Sequence, residues 1–264
     1  MFASSRHRHR REVLAAGFTP EWAALLEESM AQWRLLNDDE RERLGDGAVA
    51  LLAAARWEAA HGFTLTDEIT MLIAAEAALL GLGLDPGCWR EVTSIVVHPT
   101  TTVLRRPHSA GGGIVSDDPL PILGEAAMGG PVVIAWDAAR SQARHPEEGN
   151  NVVFHEFAHK LDMLTGHLSG TPPMGSPAQE RQWVEVCTDV FTRVSTGPHP
   201  VLRPYAGVNP AEFFAVATEV FFDVPAALAH HEPDLYGVLA GYYRQDPQTR
   251  TPRNDTPLPT PREG

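Results

Sequence analysis

The chain has 264 residues, 43% of them hydrophobic and 21% charged, with a formal charge of −13. Those figures sit in the ordinary globular range and leave ample chain to bury a core. A chain this acidic repels phosphate backbones on average, which argues against direct nucleic-acid binding.

Residues 1–12 (MFASSRHRHRRE) form a basic arm with no apolar segment behind it, so no secretory signal is read there. From Pro20 to Leu84 the spacing is helical: Trp22, Leu25, Leu26 and Met30 repeat near the helical period, as do Val49, Leu52, Ala53, Arg56 and Trp57. Thr66, followed by Asp67 and Glu68, predicts a helix start, with the helix running to Leu80 and stopping at Gly81-Leu82-Gly83. The most apolar stretch, Ile73 to Leu84, contains Glu76 and is too short to span a bilayer, so no membrane partner is expected. Asp85-Pro86-Gly87 marks a turn.

Ser94 to His98 and Thr101 to Leu104 are rich in β-branched residues and read as short strands around Pro99; Ala110 to Gly113 reads as a flexible tip. Gly130 introduces Pro131 to Trp136, the strongest strand signal, and Asp137 to Pro146 follows as a partly helical link. Helices return over Asn151–Leu164, Gln179–Val194, Pro210–Phe222 and Pro225–Tyr243. The layout predicts an α+β fold: one predominantly helical domain over 13–247 with a small β-sheet, then a proline-rich disordered tail over 248–264. Cys88 and Cys187 have apolar or aromatic neighbours and no second Cys at CxxC spacing. They read as buried thiols, and the chain as cytoplasmic.

The chemistry is concentrated in Val152-Val153-Phe154-His155-Glu156-Phe157-Ala158-His159-Lys160-Leu161-Asp162. Two His four apart on a helix share a face and can reach one ion, while Glu156 lies about 100° round the helix, beside the bound water rather than on the metal. Neutral imidazoles suit zinc, and a carboxylate so placed can take a proton from water. A catalytic zinc needs a third protein ligand, for which Asp162, His167 and Glu212 are the candidates. Asn209-Pro210 reads as an N-cap and first-turn proline, which puts Glu212 in the opening turn of an apolar helix. Asp162 and Glu219 each lie two helical turns from a candidate ligand, where a carboxylate can hydrogen-bond an imidazole. His98, His108, His145, His167, His199, His230 and His231 lack ligand spacing and read as surface or loop residues.

HEFAHKLDML, GTPP at 170–173 and YAGVNPAEFFAVATEVFFDVP closely resemble the MtfA family of bacterial zinc-dependent peptidases. LTDEITMLIAAEAALLGLGL, GEA at 124–126 and LYGVLAGYYRQDP extend the resemblance over about residues 13–247. The catalytic domain of anthrax lethal factor is similar in the HExxH and Tyr-x6-Glu-Phe-Phe-Ala pieces. The resemblance implies a zincin-like domain with zinc ligands His155, His159 and Glu212, Glu156 as general base, and Tyr205 facing the metal as an oxyanion donor. It implies a peptide substrate, with aminopeptidase-like cleavage among the activities. It also implies a regulatory side, because enterobacterial members titrate the repressor Mlc of sugar-transport genes. The alternative to an enzyme is therefore a binding protein that sequesters a transcriptional repressor. The strand at Val132 to Trp136 is the expected edge for peptide addition, by analogy with other HExxH peptidases.

Overall fold

The computed structural model describes residues 11–60, 62–101 and 130–251. The tip at 110–113, His108, the segment at 124–126 and positions 102–104 of the second strand lie outside the described residues. So do residues 1–10 of the arm and 252–264 of the tail.

Residues 11–16 are helical. Helix α1 (Pro20–Ser29) opens at Thr19, whose hydroxyl accepts from Trp22 N–H, and a 3₁₀ turn over Ala31–Leu35 leads to α2 (Asp38–Ala54). A capping box starts α2, with Asn37 and Glu40 each accepting the other's backbone N–H. Strand β1 (Arg56–Ala59) follows, then α3 (Asp67–Gly81), capped by Thr66 as the sequence predicts. Met71 to Leu80 are all buried, consistent with a helix that is apolar nearly all round.

Strand β1 corrects the sequence reading, which carried the helical period through Arg56 and Trp57. The spacing there does fit a helix. Arg56 N–H instead donates to Thr93 and Ala60 N–H to Val97, and these sheet bonds replace a further helical turn. Strands β2 (Ser94–His98) and β3 (Val132–Ala135) complete a three-stranded parallel sheet in the order β1-β2-β3. Trp57, Ile95 and Val132 stand in register across it. Parallel neighbours need a crossover, and α3 supplies the one between β1 and β2.

Helix α4 (Trp136–Gln142) continues directly from β3, then come α5 (Val152–Asp162), α6 (Pro177–Thr196) and α7 (Pro210–Asp223). The single helix expected over Pro225–Tyr243 is two, α8 (Pro225–His231) and α9 (Pro233–Tyr243). Pro233 has no N–H to continue α8 and pushes Glu232 out of the helical region, to φ −137° and ψ 67°. The 3₁₀ turn Pro247–Thr249 and Arg250, which bonds Glu40, lie against the helices.

The core centres on α3, α5 and α7. Phe154 of α5 packs on Phe222 of α7 with ring centroids 5.5 Å apart, and Phe157 meets the edge of Trp89 at 5.0 Å. Cys88 and Cys187 are free and buried. Among the described residues no single helix is long and apolar enough to cross a membrane. The architecture is the helix-dominated α+β domain with a small sheet that the sequence predicts.

Candidate metal centre

Helix α5 is fixed at its start by Asn151, which uses every polar group it has. Its Oδ1 accepts from the N–H groups of Val153 and Phe154, its N–H donates to Glu219, and its Nδ2 donates to Glu76 on α3. This pins the helix to α7 and α3 before the first functional side chain appears. Val153, Phe154, Phe157, Ala158 and Leu161 are fully buried, so the opposite face presents His155 and His159 in a fixed orientation. The two imidazoles lie 4.8 Å apart, edge to face.

Helix α7 meets this face at its first turn. Asn209 Oδ1 accepts from Glu212 N–H and Pro210 occupies the first helical position, as the sequence signals predict. The structure brings His155, His159 and Glu212 together, each with a ligand atom within 4.8 Å of the others. Glu212 Oε2 is 3.0 Å from His155 Nε2 and 3.6 Å from His159 Nε2, and the two Nε2 atoms are 3.2 Å apart. Of the other two third-ligand candidates, Asp162 and His167, neither joins the group.

This arrangement favours positive charge beside Glu212. The Glu212 side chain is 1% exposed, and among the described residues its carboxylate faces only the two imidazole Nε2 atoms, with no other donor on either oxygen. A buried carboxylate without donors is costly unless a cation is near. The titration directions agree. Burial alone would lower His155, but the adjacent Glu212 and Glu219 carboxylates outweigh it and push the imidazole up to about 10. Burial alone would raise Glu212, but the two imidazoles outweigh it and hold the carboxyl down to about 2. Two nitrogens and one carboxylate oxygen form a donor set that suits a divalent transition metal, zinc among them.

Glu156 sits beside this group, half-buried, and its carboxyl is raised, chiefly by burial, with His155 and His159 opposing the shift. Tyr205 lies in a 3₁₀ turn (Pro204–Gly207), with its ring centroid 5.9 Å from that of His155. All five site residues named from the sequence therefore fall in one region of the molecule.

The surrounding residues were less legible. Glu219 Oε1 is 2.7 Å from His155 Nδ1, the imidazole contact its spacing suggests. Asp162 makes no such contact. Its carboxylate accepts from the backbone N–H groups of Ser169, Gly170 and Thr171. Arg203, which the sequence did not single out, donates from both terminal nitrogens to Glu219 and also to Asn150. Its guanidinium lies 5.9 Å from the Tyr205 ring. His199, read as a surface or loop residue, has a side chain only 4% exposed; its Nε2 meets Glu232, and its Nδ1 accepts from Leu202 N–H. It thereby anchors the segment that delivers Arg203 and Tyr205. In the stretch just before YAGVNP, GPHPVLRP, His199 and Arg203 are the only polar side chains, and no spacing rule marks them.

Comparison with known proteins agrees with this picture. The family model described as glucose-regulated metallo-peptidase M90 matches residues 4–244. The chain is 32% identical over 246 residues to Mlc titration factor A of Yersinia enterocolitica, covering 86% of this chain and 90% of that protein. It is 30% identical over 244 residues to Mlc titration factor A of Serratia proteamaculans, covering 86% and 91%. It is 31% identical over 242 residues to the uncharacterized protein slr2042 of Synechocystis sp., covering 90% and 88%.

Proposed function

The chain belongs to the glucose-regulated metallo-peptidase family M90, and from that premise we propose that it hydrolyses peptide bonds with zinc held by His155, His159 and Glu212. The observation that carries the reading is the buried Glu212 carboxylate, without hydrogen-bond donors, facing two imidazole Nε2 atoms. Zinc held there would supply a Lewis acid for the substrate carbonyl and would acidify a neighbouring water.

The chain's own residues do the rest. Glu219 accepts the Nδ1 proton of His155, which fixes the tautomer and leaves Nε2 free to ligate. Glu156, with its carboxyl raised, takes a proton from water and returns it to the leaving amine. Tyr205 donates to the oxygen of the attacked carbonyl as negative charge develops there. Strand β3 ends the sheet among the described residues, and an extended peptide would lie along it. Short peptides are the substrate class, aminopeptidase-like cleavage included. Residues 13–247 act as one domain, and the two free thiols suit a cytoplasmic setting.

Elemental mass spectrometry of protein purified without chelator or affinity histidines tests the reading. One zinc per chain is expected, sharply reduced in Glu212→Ala. Glu156→Gln is expected to keep the metal and lose about 10²-fold or more of peptide cleavage. Metal-free protein that zinc cannot reconstitute would sink the proposal.

A second reading is favoured by the name Mlc titration factor A carried by two of these relatives: this chain sequesters a transcriptional repressor. Glu156→Gln protein that still binds such a repressor while cleaving nothing would show the two roles to be separable.

A further inference from the structure

Between the two ligand-bearing helices runs a connection that the chemistry above leaves unused. Asp162, the last residue of α5 and three beyond His159, is fully buried. Its Oδ2 accepts from Ser169 N–H at 2.9 Å and Gly170 N–H at 2.7 Å, and its Oδ1 from Thr171 N–H at 3.1 Å. Three successive amides thus converge on one carboxylate and fold the turn at 169–171. Gly170 has φ +73°, a region that side chains disfavour. A Cβ at Gly170 would overlap the Pro210 carbonyl oxygen and sit 2.6 Å from its carbon. The turn therefore lies backbone to backbone against the first residue of α7, whose third residue is Glu212. Its other side is held by Trp183 of α6, whose Nε1–H donates to Gly170 O at 3.0 Å. The same indole meets Phe214 of α7 edge to face at 5.5 Å.

We propose that Asp162 and the turn it folds are a positioning device for Glu212, holding the helix that carries the third ligand at its working distance from the helix that carries the first two. The proposal rests on the zinc reading above. It accounts for the GTPP stretch, whose glycine is the only residue type that fits against Pro210. It also accounts for an aspartate rather than an asparagine at 162. Both carboxylate oxygens accept N–H groups, whereas an amide would turn an –NH₂ toward at least one of them. Asp162 is outside the His155–His159–Glu212 group, and its effect on the metal runs through this turn and Pro210.

The test measures zinc affinity of the full chain by chelator competition, with the unfolding midpoint of the metal-free protein measured alongside. Asp162→Asn and Gly170→Ala are each expected to weaken zinc binding about tenfold or more. Trp183→Phe, which keeps a ring on Phe214 and removes one hydrogen bond, is expected to weaken it about threefold. Asn37→Ala breaks the capping box of α2, lowers the midpoint and leaves zinc affinity unchanged. Wild-type affinity in folded Asp162→Asn and Gly170→Ala overturns the proposal, as does an equal loss in Asn37→Ala. If neither of the first two folds, unchanged affinity in Trp183→Phe overturns it. A wild-type chain that takes up no zinc overturns the zinc reading and this proposal together, whereas zinc-loaded wild type with unaffected variants overturns this proposal alone.

Discussion

The two ends of α5 are each held by a buried carboxylate, and the two are satisfied in different ways. At the N-terminal end Glu219 accepts Asn151 N–H, touches His155 and is gripped by Arg203 at 2.7 Å. Burial alone would raise it, but Arg203 and His155 outweigh that and hold the carboxyl below its ordinary value. At the C-terminal end Asp162 is no less buried, yet its hydrogen bonds come from backbone amides, and burial leaves its carboxyl raised. Glu76, reached from Glu219 across Asn151, has one amide donor, and burial pushes it up to about 8. The carboxylate that contacts His155 is held ionised by neighbouring full charges. The carboxyls that shape backbone or bridge helices are left to dipoles, which stabilise their charge less.

The largest expected effect comes from removing the cation at the first end. Arg203→Met leaves Glu219 buried beside His155 without its counter-charge and is expected to cost about 2–3 kcal/mol in denaturant unfolding of the metal-free protein. Unchanged stability there would break the distinction between the two ends. Glu76→Gln sharpens it in the opposite direction. Folded protein keeps the Glu76 proton to about pH 8, whereas the unfolded chain releases it near 4.5. Between those values the folded state binds the extra proton, so stability falls as pH rises through the window. An amide keeps the acceptor for Asn151 and has no proton to lose. Glu76→Gln is therefore expected to raise the melting temperature by about 2–4 °C at pH 8, with the advantage gone below pH 4.5. The smallest effect is at the second end. The Ser169 hydroxyl approaches Asp162 at only 3.5 Å beside stronger amide contacts, so Ser169→Ala is expected to change stability by less than about 0.5 kcal/mol. A larger loss would mean that the hydroxyl, rather than the backbone, satisfies Asp162.

What the sequence revealed and what it concealed divide along contact range. His155, Glu156 and His159 declare themselves because four residues on a helix fix their geometry, and Glu212 because Asn209-Pro210 fixes where its helix starts. Thr66 marks α3 for the same local reason. Arg203 meets Glu219 across 16 residues, Asn151 meets Glu76 across 75, and Gln32 donates to Asp223 across 191, so no local pattern foretells them. Strand β1 was concealed because pairing with β2, not its own side chains, makes it a strand. The role of Asp162 stayed open because helical spacing shows which residues share a face but not what the following loop brings to that face. The break before α9 was legible in principle, since Pro233 is a signal that the apolar period overrode.

The parallel sheet also bears on how the chain reaches this state. Arg56 pairs with Ser94 and Ile95 with Val132, so both pairings join positions nearly forty residues apart. Loops of that length must close before the pairing stabilises them, which makes such contacts slow to form. The two imidazoles belong to adjacent turns of one helix, and helical turns form orders of magnitude faster. The spacing of His155 and His159 is thus set by a short-range contact within α5, whereas the approach of Glu212, 53 residues beyond His159, waits like the sheet on the closure of a long loop.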